Sequence, residues 1–397
     1  MSKEPKLPAM CTGCGACYQV CPKHAIEMKA DDKGFLYPHV ELKTCVRCEK
    51  CEKVCPVVER HVDSILNSPT KMAFAAKASQ ENIQLNATSG GFFSTLALQI
   101  IQKKGVVYGV AYTPEWEIEH IRVEKKEDLS RLAESKYAQS NVKNTYAQAK
   151  EDLDADKYVL FSGTSCQIAG LKMFLKKEYE KLLLVDVVCH GVPSPKVWEW
   201  YINAIQATFQ SKASAVKHRG KDYGGWSWKE QFMRIDLEDG RYVKENIWEN
   251  SYMKGFLKDI YLRKSCYNCV FKNKEVKRVS DLTIADYWGC EEIEPDFFDG
   301  NGVSLVLINS RKGSNIFEHM DDLCKKETNM KKALSHNVAV YHSYEKPYSN
   351  AYFWRKFDAV ENLEEFSNLV KRCISKDEKR RKNIIFKIKR KLEVWLR

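Results

Sequence analysis

Eight cysteines between Cys11 and Cys55, in two runs of identical spacing, constrain this chain more than any other feature. Cys11, Cys14, Cys17 and Cys21 are followed by Pro22; Cys45, Cys48, Cys51 and Cys55 are followed by Pro56. Each run is C-x2-C-x2-C-x3-C-P, in which a tight loop presents three thiolates to one 4Fe-4S cube and the fourth cysteine serves the other cube. The spacing assigns Cys11, Cys14, Cys17 and Cys55 to one cluster. It assigns Cys45, Cys48, Cys51 and Cys21 to the second. Pro22 and Pro56 turn the chain away after the fourth ligand, because proline cannot continue a hydrogen-bonded helix. A disulfide framework would need an oxidising compartment, which nothing in the sequence indicates. Two zinc knots would use C-x2-C pairs with a longer spacer.

The run resembles a bacterial two-cluster ferredoxin, and residues 1–64 are expected to form that small α+β module. Modules of this kind pass single electrons, so the remaining residues should contain whatever gives or takes them. They are numerous enough for one large domain or two ordinary ones. The N-terminal residues are polar with no apolar run behind them, and no stretch approaches a membrane-spanning length. The expectation is therefore a cytoplasmic protein. The net charge of +11 would suggest a nucleic-acid partner if it were spread over the surface. It is not: residues 371–397 hold twelve Lys or Arg against three Asp or Glu. No nucleic-acid partner is expected.

Residues 70–330 alternate apolar strands with helical stretches, predicting an α/β domain with a mainly parallel sheet and flanking helices. Thr88-Ser89-Gly90-Gly91 precedes helical spacing from Phe92 to Ile101, and exposed amides at such a start favour phosphate groups. An ordinarily capped core helix reads equally well from these residues. Val106–Tyr112 and Ile118–Val123 alternate like a strand pair. Tyr158–Phe161 runs into Ser162-Gly163-Thr164-Ser165-Cys166-Gln167 and then a helix; Leu182–Val188 runs into Cys189-His190-Gly191 and another helix from Lys196 to about Phe209. In such units the strand ends and helix starts face one sheet edge, where ligands bind. Residues 211–250 read as an insertion with a glycine-rich Trp226–Trp228 loop and a hairpin turning at Gly240. Residues 303–308 are an interior strand and 313–326 a helix. Residues 331–370 are expected to form a helical extension.

Cys166 and Cys189 fall at the ends of successive strands, and Cys266 and Cys269 form a C-x2-C pair. Four thiolates could thus converge at the sheet edge. Buried apolar thiols and a structural zinc are equally open on spacing alone, and Cys290 is an alternative fourth ligand.

Thr88-Ser-Gly-Gly, Ser135-Lys-Tyr-Ala-Gln-Ser, Phe161-Ser-Gly-Thr-Ser-Cys-Gln, Cys189-His-Gly-Val-Pro-Ser, Cys266-Tyr-Asn-Cys and Ser280-Asp-Leu-Thr-Ile-Ala-Asp-Tyr-Trp-Gly occur in that order. Together they resemble the family of coenzyme F420 hydrogenase/dehydrogenase beta subunits, over roughly residues 70–310. The resemblance implies an FAD and a third 4Fe-4S cluster, held by Cys166, Cys189, Cys266 and Cys269. It also implies that Ser89, Gly90 and Gly91 approach the flavin, that Lys136, Tyr137 and Ser140 line its pocket, that Gly163 and Thr164 form the floor, and that His190 and Gly191 lie nearby. His190 is the candidate proton donor, with a structural role beside Cys189 as the alternative. A Thr-Ser precedes Cys166 where the family commonly has a proline.

The function so implied is oxidoreduction. Electrons would pass from ferredoxin or a partner subunit through the clusters to FAD, and on to an organic substrate, either an F420-like deazaflavin or a polysaccharide or lipid precursor. The alternative is a non-catalytic subunit relaying electrons to a partner enzyme. In the tail, Ile384, Ile385, Ile388, Leu392, Trp395 and Leu396 fall on one side of a helical wheel among Lys and Arg. That pattern suits a helix lying on an anionic membrane, so peripheral attachment to the inner membrane surface is a further expectation.

Overall fold

A computed structural model describes residues 8–221 and 231–395, with the backbone alone for 59, 60 and 385–395. Trp226 and Trp228 lie outside the described residues. The strands are β1 (Ile26–Ala30), β2 (Leu36–Val40), β3 (Met72–Ala78), β4 (Val106–Tyr112), β5 (Ile118–Val123), β6 (Val159–Thr164), β7 (Leu182–Val187), β8 (Ala213–Gly220), β9 (Phe232–Leu237), β10 (Tyr242–Asn246), β11 (Leu282–Asp286), β12 (Ser304–Ile308) and β13 (Leu323–Thr328). β1 and β2 pair as the hairpin of the N-terminal module, and β8, β9 and β10 form a small antiparallel sheet.

The main sheet has the order β13-β3-β12-β11-β7-β6-β4-β5. Its centre, β11-β7-β6-β4, is parallel, while β12, β3, β13 and β5 join by antiparallel pairing. β6, β7 and β12 are nearly continuous apolar runs because both sheet faces are covered. Alternate residues sort accordingly. Tyr108, Phe161 and Leu184 enter a core on one face, and Val107, Leu160 and Leu183 enter the core on the other.

The helix Ser165–Leu175 starts on a capping box between Thr164 and Gln167, and the helix Pro195–Phe209 on the Ser194 hydroxyl with proline in its first turn. These caps fix where each strand hands over to its helix, and so where Cys166 and His190 stand. Beneath them Asp186, wholly buried on β7, accepts hydrogen bonds from Ser165 Oγ (2.6 Å), Ser280 Oγ (2.7 Å) and Thr283 Oγ1 (2.5 Å), and pairs with buried Arg278.

Two expectations are corrected. The helix expected over 313–326 ends after Arg311–Glu318, and the chain returns as β13 along β3. β13 carries Lys325, Lys326 and Glu327, charges typical of an edge strand. The boundary at 371 falls inside one helix, Leu363–Trp395, which runs on from the extension.

Candidate functional site

The two N-terminal thiol groups differ in exposure. Cys21, Cys45, Cys48 and Cys51 line a surface cavity, with Cys48 exposed and Cys51 buried at its base. Cys11, Cys14, Cys17 and Cys55 face inward. Burial first, and then mutual repulsion among these four sulfurs, pushes the Cys14 thiol well up, and Cys17 is raised in the same way. Thiols placed to repel one another are the donor set that a cationic iron core would stabilise. Backbone amides reach one sulfur of each set: Gly13 N donates to Cys11 Sγ at 3.4 Å and Ala25 N to Cys21 Sγ at 3.3 Å.

The inner group is seated on the α/β body. Cys14 belongs to the apolar cluster of Tyr146, Phe161, Ile168 and Leu171, and Cys17, Cys166 and Cys269 border it. A Cβ on Gly170 would stand only 3.0 Å from Cys14 Cβ, Cys14 Sγ and Tyr146 Oη, so glycine is what lets the cysteine loop touch this helix. Fully buried Arg263 fastens the seam. Its Nε donates to Cys11 O (2.9 Å), Nη1 to Gln139 Oε1 (2.8 Å) and Nη2 to Leu36 O (2.9 Å).

Cys166, Cys189, Cys266 and Cys269 come together. Burial raises Cys166 to about 12, with the Cys269 and Cys189 charges adding; Cys189 rises to about 11, offset by the Lys272 ammonium. Cys266 is raised by burial and then by the other three thiols. Lys272, Arg278 and Arg263 act in the opposite sense on this set, which suits four thiolates around a metal cluster. Cys290 stands apart, buried in a different apolar cluster beside Tyr287, with carboxylates rather than thiols as its charged neighbours.

A second polar centre, which motif reading missed, crosses the sheet edge from β8 to β11. Arg219 donates through Nε to Gln231 Oε1 (2.5 Å) and through Nη1 to Tyr137 Oη (2.8 Å) and Asp286 Oδ2 (2.6 Å), with its guanidinium 5.1 Å from the Trp288 ring centre. Lys221 donates to the carbonyls of Gln84 (2.6 Å) and Ser89. Lys136 donates to Ala133 O (2.5 Å). Burial lowers both lysines to about 8, against the pull of Glu134 on Lys136 and of Asp286 on Lys221. His218 Nδ1 lies 2.7 Å from Tyr112 Oη, and the ring is held down to about 3 by burial and by Lys136. Arg219 Nη2, His218 Nε2 and Gln231 Nε2 are buried with no partner among the described residues. Buried donors left unpaired are costly and call for a ligand. Four cations (Lys136, Lys217, Arg219, Lys221) face three carboxylates (Glu134, Asp286, Asp299), an excess of one positive charge that favours an anionic one.

The flavin-contact residues expected from sequence thus divide into three places. Lys136 and Tyr137 border the cationic centre, as does Ser89 through its carbonyl. Gly90 and Gly91 pack inward: a Cβ on Gly90 would meet Ala76 O at 2.4 Å, and Gly91 (φ +82) caps the following helix. Ser140, Gly163 and Thr164 surround Gln167 beside Cys166; Gln167 Nε2 donates to Ser140 Oγ (2.9 Å), and Thr164 N donates to Gln167 Oε1 (2.9 Å). His190 and Gly191 lie at the third thiol set. His190 Nε2 is 2.7 Å from Asp259 Oδ1, its ring stacks on Tyr344 at 4.0 Å, and a Cβ on Gly191 would be 3.3 Å from Cys266 Cβ. Arg219 and Lys221 are two positions apart at the end of β8, while Asp286 comes from β11, so only folding unites the carboxylate with the two cations.

Comparison with known proteins matches residues 156–332 to the family model for the C terminus of the coenzyme F420 hydrogenase/dehydrogenase beta subunit. This segment is therefore similar to that family over somewhat less than half of the chain. Residues 10–58 match the 4Fe-4S dicluster domain, so the N-terminal module is an iron–sulfur one. The beta-subunit-like chain is 27% identical over 186 residues to the F subunit of the F(420)H(2) dehydrogenase from Methanosarcina mazei, covering 44% of this chain and 51% of that protein. It is 24% identical over 317 residues to a coenzyme F420-dependent sulfite reductase of Methanocaldococcus jannaschii, covering 77% of this chain and 45% of that protein. The matches thus span about half the length of these relatives. A chain of the F420-reducing NiFe hydrogenase complex from Methanosarcina barkeri is similar over 79% of this chain and 91% of its own, at 15% identity and a TM-score of 0.43. No helix among the described residues is long and apolar enough to cross a membrane.

Proposed function

We propose that the chain is an iron–sulfur flavoprotein oxidoreductase that passes electrons between 4Fe-4S centres and an FAD, and so reduces or oxidises an organic substrate. The observation that carries this reading is one shared apolar cluster bordered by thiols of the inner N-terminal set and of the 166–269 set. Flavin, when bound, supplies the exchange between single electrons and hydride. Cys21, Cys45, Cys48 and Cys51 hold the outermost centre, where a ferredoxin or redox subunit would dock. Cys11, Cys14, Cys17 and Cys55 hold the inner one, and Cys166, Cys189, Cys266 and Cys269 the third.

The unpaired donors of Arg219, His218 and Gln231, with Lys136 and Lys221, would neutralise the anionic part of the flavin or substrate. Tyr137 and Asp286 orient Arg219. Ser89, Gly90 and Gly91 give the first turn of a helix at the same edge. Ser140, Gly163 and Thr164 position Gln167 under Cys166, and Gly191 lets the Cys266 turn close on the strand end. His190, fixed by Asp259, is the candidate proton donor. The substrate class is an F420-like deazaflavin or a polysaccharide or lipid precursor. Residues 371–397 would hold the chain against an anionic inner membrane surface.

The test is anaerobic purification followed by iron, sulfide and released-flavin analysis. About twelve irons and one FAD per chain are expected from three cubes and one flavin. Replacing Arg219 with Met should lower flavin content and leave iron unchanged. About eight irons without flavin would leave only a relay module fused to an α/β domain and defeat the proposal.

A further inference from the structure

A groove of about 300 Å³ lies between the helix Ser251–Leu257 and the base of the helix Leu363–Trp395. Trp248, Leu257 and Ile374 give it an apolar lining, Lys254, Lys258 and Lys371 stand around them, and Ser375 and the single carboxylate Glu378 complete the wall, leaving an excess of two positive charges. These three lysines make no side-chain hydrogen bond or ion pair among the described residues. Two other cations of the long helix lie over aromatic rings: Lys376 is 4.5 Å from the Tyr352 ring centre, and Arg380 4.2 Å from that of Tyr348. Trp248 is 37% exposed, a large apolar side chain left at the surface beside unpaired charge.

An apolar floor ringed by lysines matches a lipid at the level where its phosphate meets its glycerol and acyl chains, the depth at which Trp settles and Lys extends toward anions. A free phosphate would need only the cations. The register of the long helix adds a second argument. At 100° per residue, positions 374, 385 and 392 of the long helix fall within about 20° of one another on a helical wheel. From residue 378 to 395 that helix extends about 25 Å at 1.5 Å per residue. Groove and tail therefore address one plane, and the cationic excess of residues 371–397 has the sign an anionic bilayer attracts.

We propose that the groove formed by Trp248, Lys254, Leu257, Lys258, Lys371 and Ile374 is a headgroup site for anionic phospholipid, acting with the tail as one membrane-docking surface. The inference rests on the membrane reading of the tail given above, and the two are separable by experiment. The full-length, anaerobically purified chain is sedimented at low salt with vesicles of phosphatidylcholine, with and without phosphatidylglycerol. A groove variant (Lys254→Ala, Lys258→Ala, Lys371→Ala) and a stripe variant (Ile385→Asp, Leu392→Asp) are compared with it, their iron–sulfur absorption verifying the fold. The groove variant alters exposed or half-exposed side chains.

Wild type should bind only the phosphatidylglycerol vesicles, and the groove variant should bind about tenfold or more weakly, given the attraction each lysine makes near an anionic surface. If the stripe variant fails to bind while the groove variant matches wild type, the headgroup site is overturned and the tail reading stands. If the groove variant alone loses binding, the groove stands and the tail reading falls. Wild type that ignores phosphatidylglycerol yet is retained on polyglutamate through these lysines would assign the groove to an acidic protein segment and overturn the lipid proposal. No binding to either would remove both.

Discussion

Asp186 and Arg278 show how closely single residues govern the ground beneath the third thiol set. Both are buried, and the carboxylate is also bonded by Ser165, Ser280 and Thr283 from three neighbouring segments. Asp186→Ala would leave the Arg278 cation uncompensated, which costs about 3–5 kcal/mol. In guanidinium titrations the single variant should unfold at much lower denaturant, whereas Asp186→Leu with Arg278→Met should recover most of the loss. His218 makes a separate prediction. Its folded pKa of about 3 lies below the ordinary 6.5, so the unfolded chain takes up the proton first. The contribution of this site to stability is complete above pH 6.5 and is lost as pH falls toward 3. His218→Gln should flatten that part of the stability-pH curve, and an unchanged slope would show that His218 is not held neutral. Neither Asp186 nor His218 carries a signal in the sequence: each lies on an ordinary strand pattern, and its meaning arises from partners up to 106 positions away.

The elements were legible where apolar periodicity was strong and one-sided. β6, β7 and β12 are buried runs, and helices follow β6 and β7 as expected. Periodicity failed at β13, where alternating charge on an edge strand imitates the end of an amphipathic helix. The helix Ser165–Leu175 matters most for electron passage, since its first turn bears Cys166 and its second turn meets the cysteine loop through Gly170. Gly170→Leu should push the Cys14 loop outward. Paramagnetic resonance of the reduced protein would then show the inner N-terminal signal altered or lost, with the outer signal intact. Identical spectra would mean that the contact does not position the inner centre.

Across the whole molecule the thiol sets form a gradient of burial, from exposed Cys48 to Cys14 and Cys166 against the sheet. Oxidants should therefore attack from outside inward. Brief exposure to air should abolish the outermost signal before the other two, and simultaneous decay would contradict the gradient. The eight N-terminal cysteines were legible because their ligand geometry is local. The spacing of the 166–269 set showed only scattered thiols, which the family resemblance gathered; of the polar centre Lys136, Tyr137 and Asp286 fell within the quoted motifs, whereas Arg219 and Lys221 did not, because convergence from distant segments leaves no spacing to read. The Arg263 clasp has a consequence in time. It seals the Cys11 loop from 252 positions downstream. At ordinary synthesis rates of about 5–20 residues per second, the ribosome reaches that arginine roughly 10–50 s after the first cysteine motif. A nascent N-terminal module can thus fold before the side chain that clasps its Cys11 loop to the α/β body has been made.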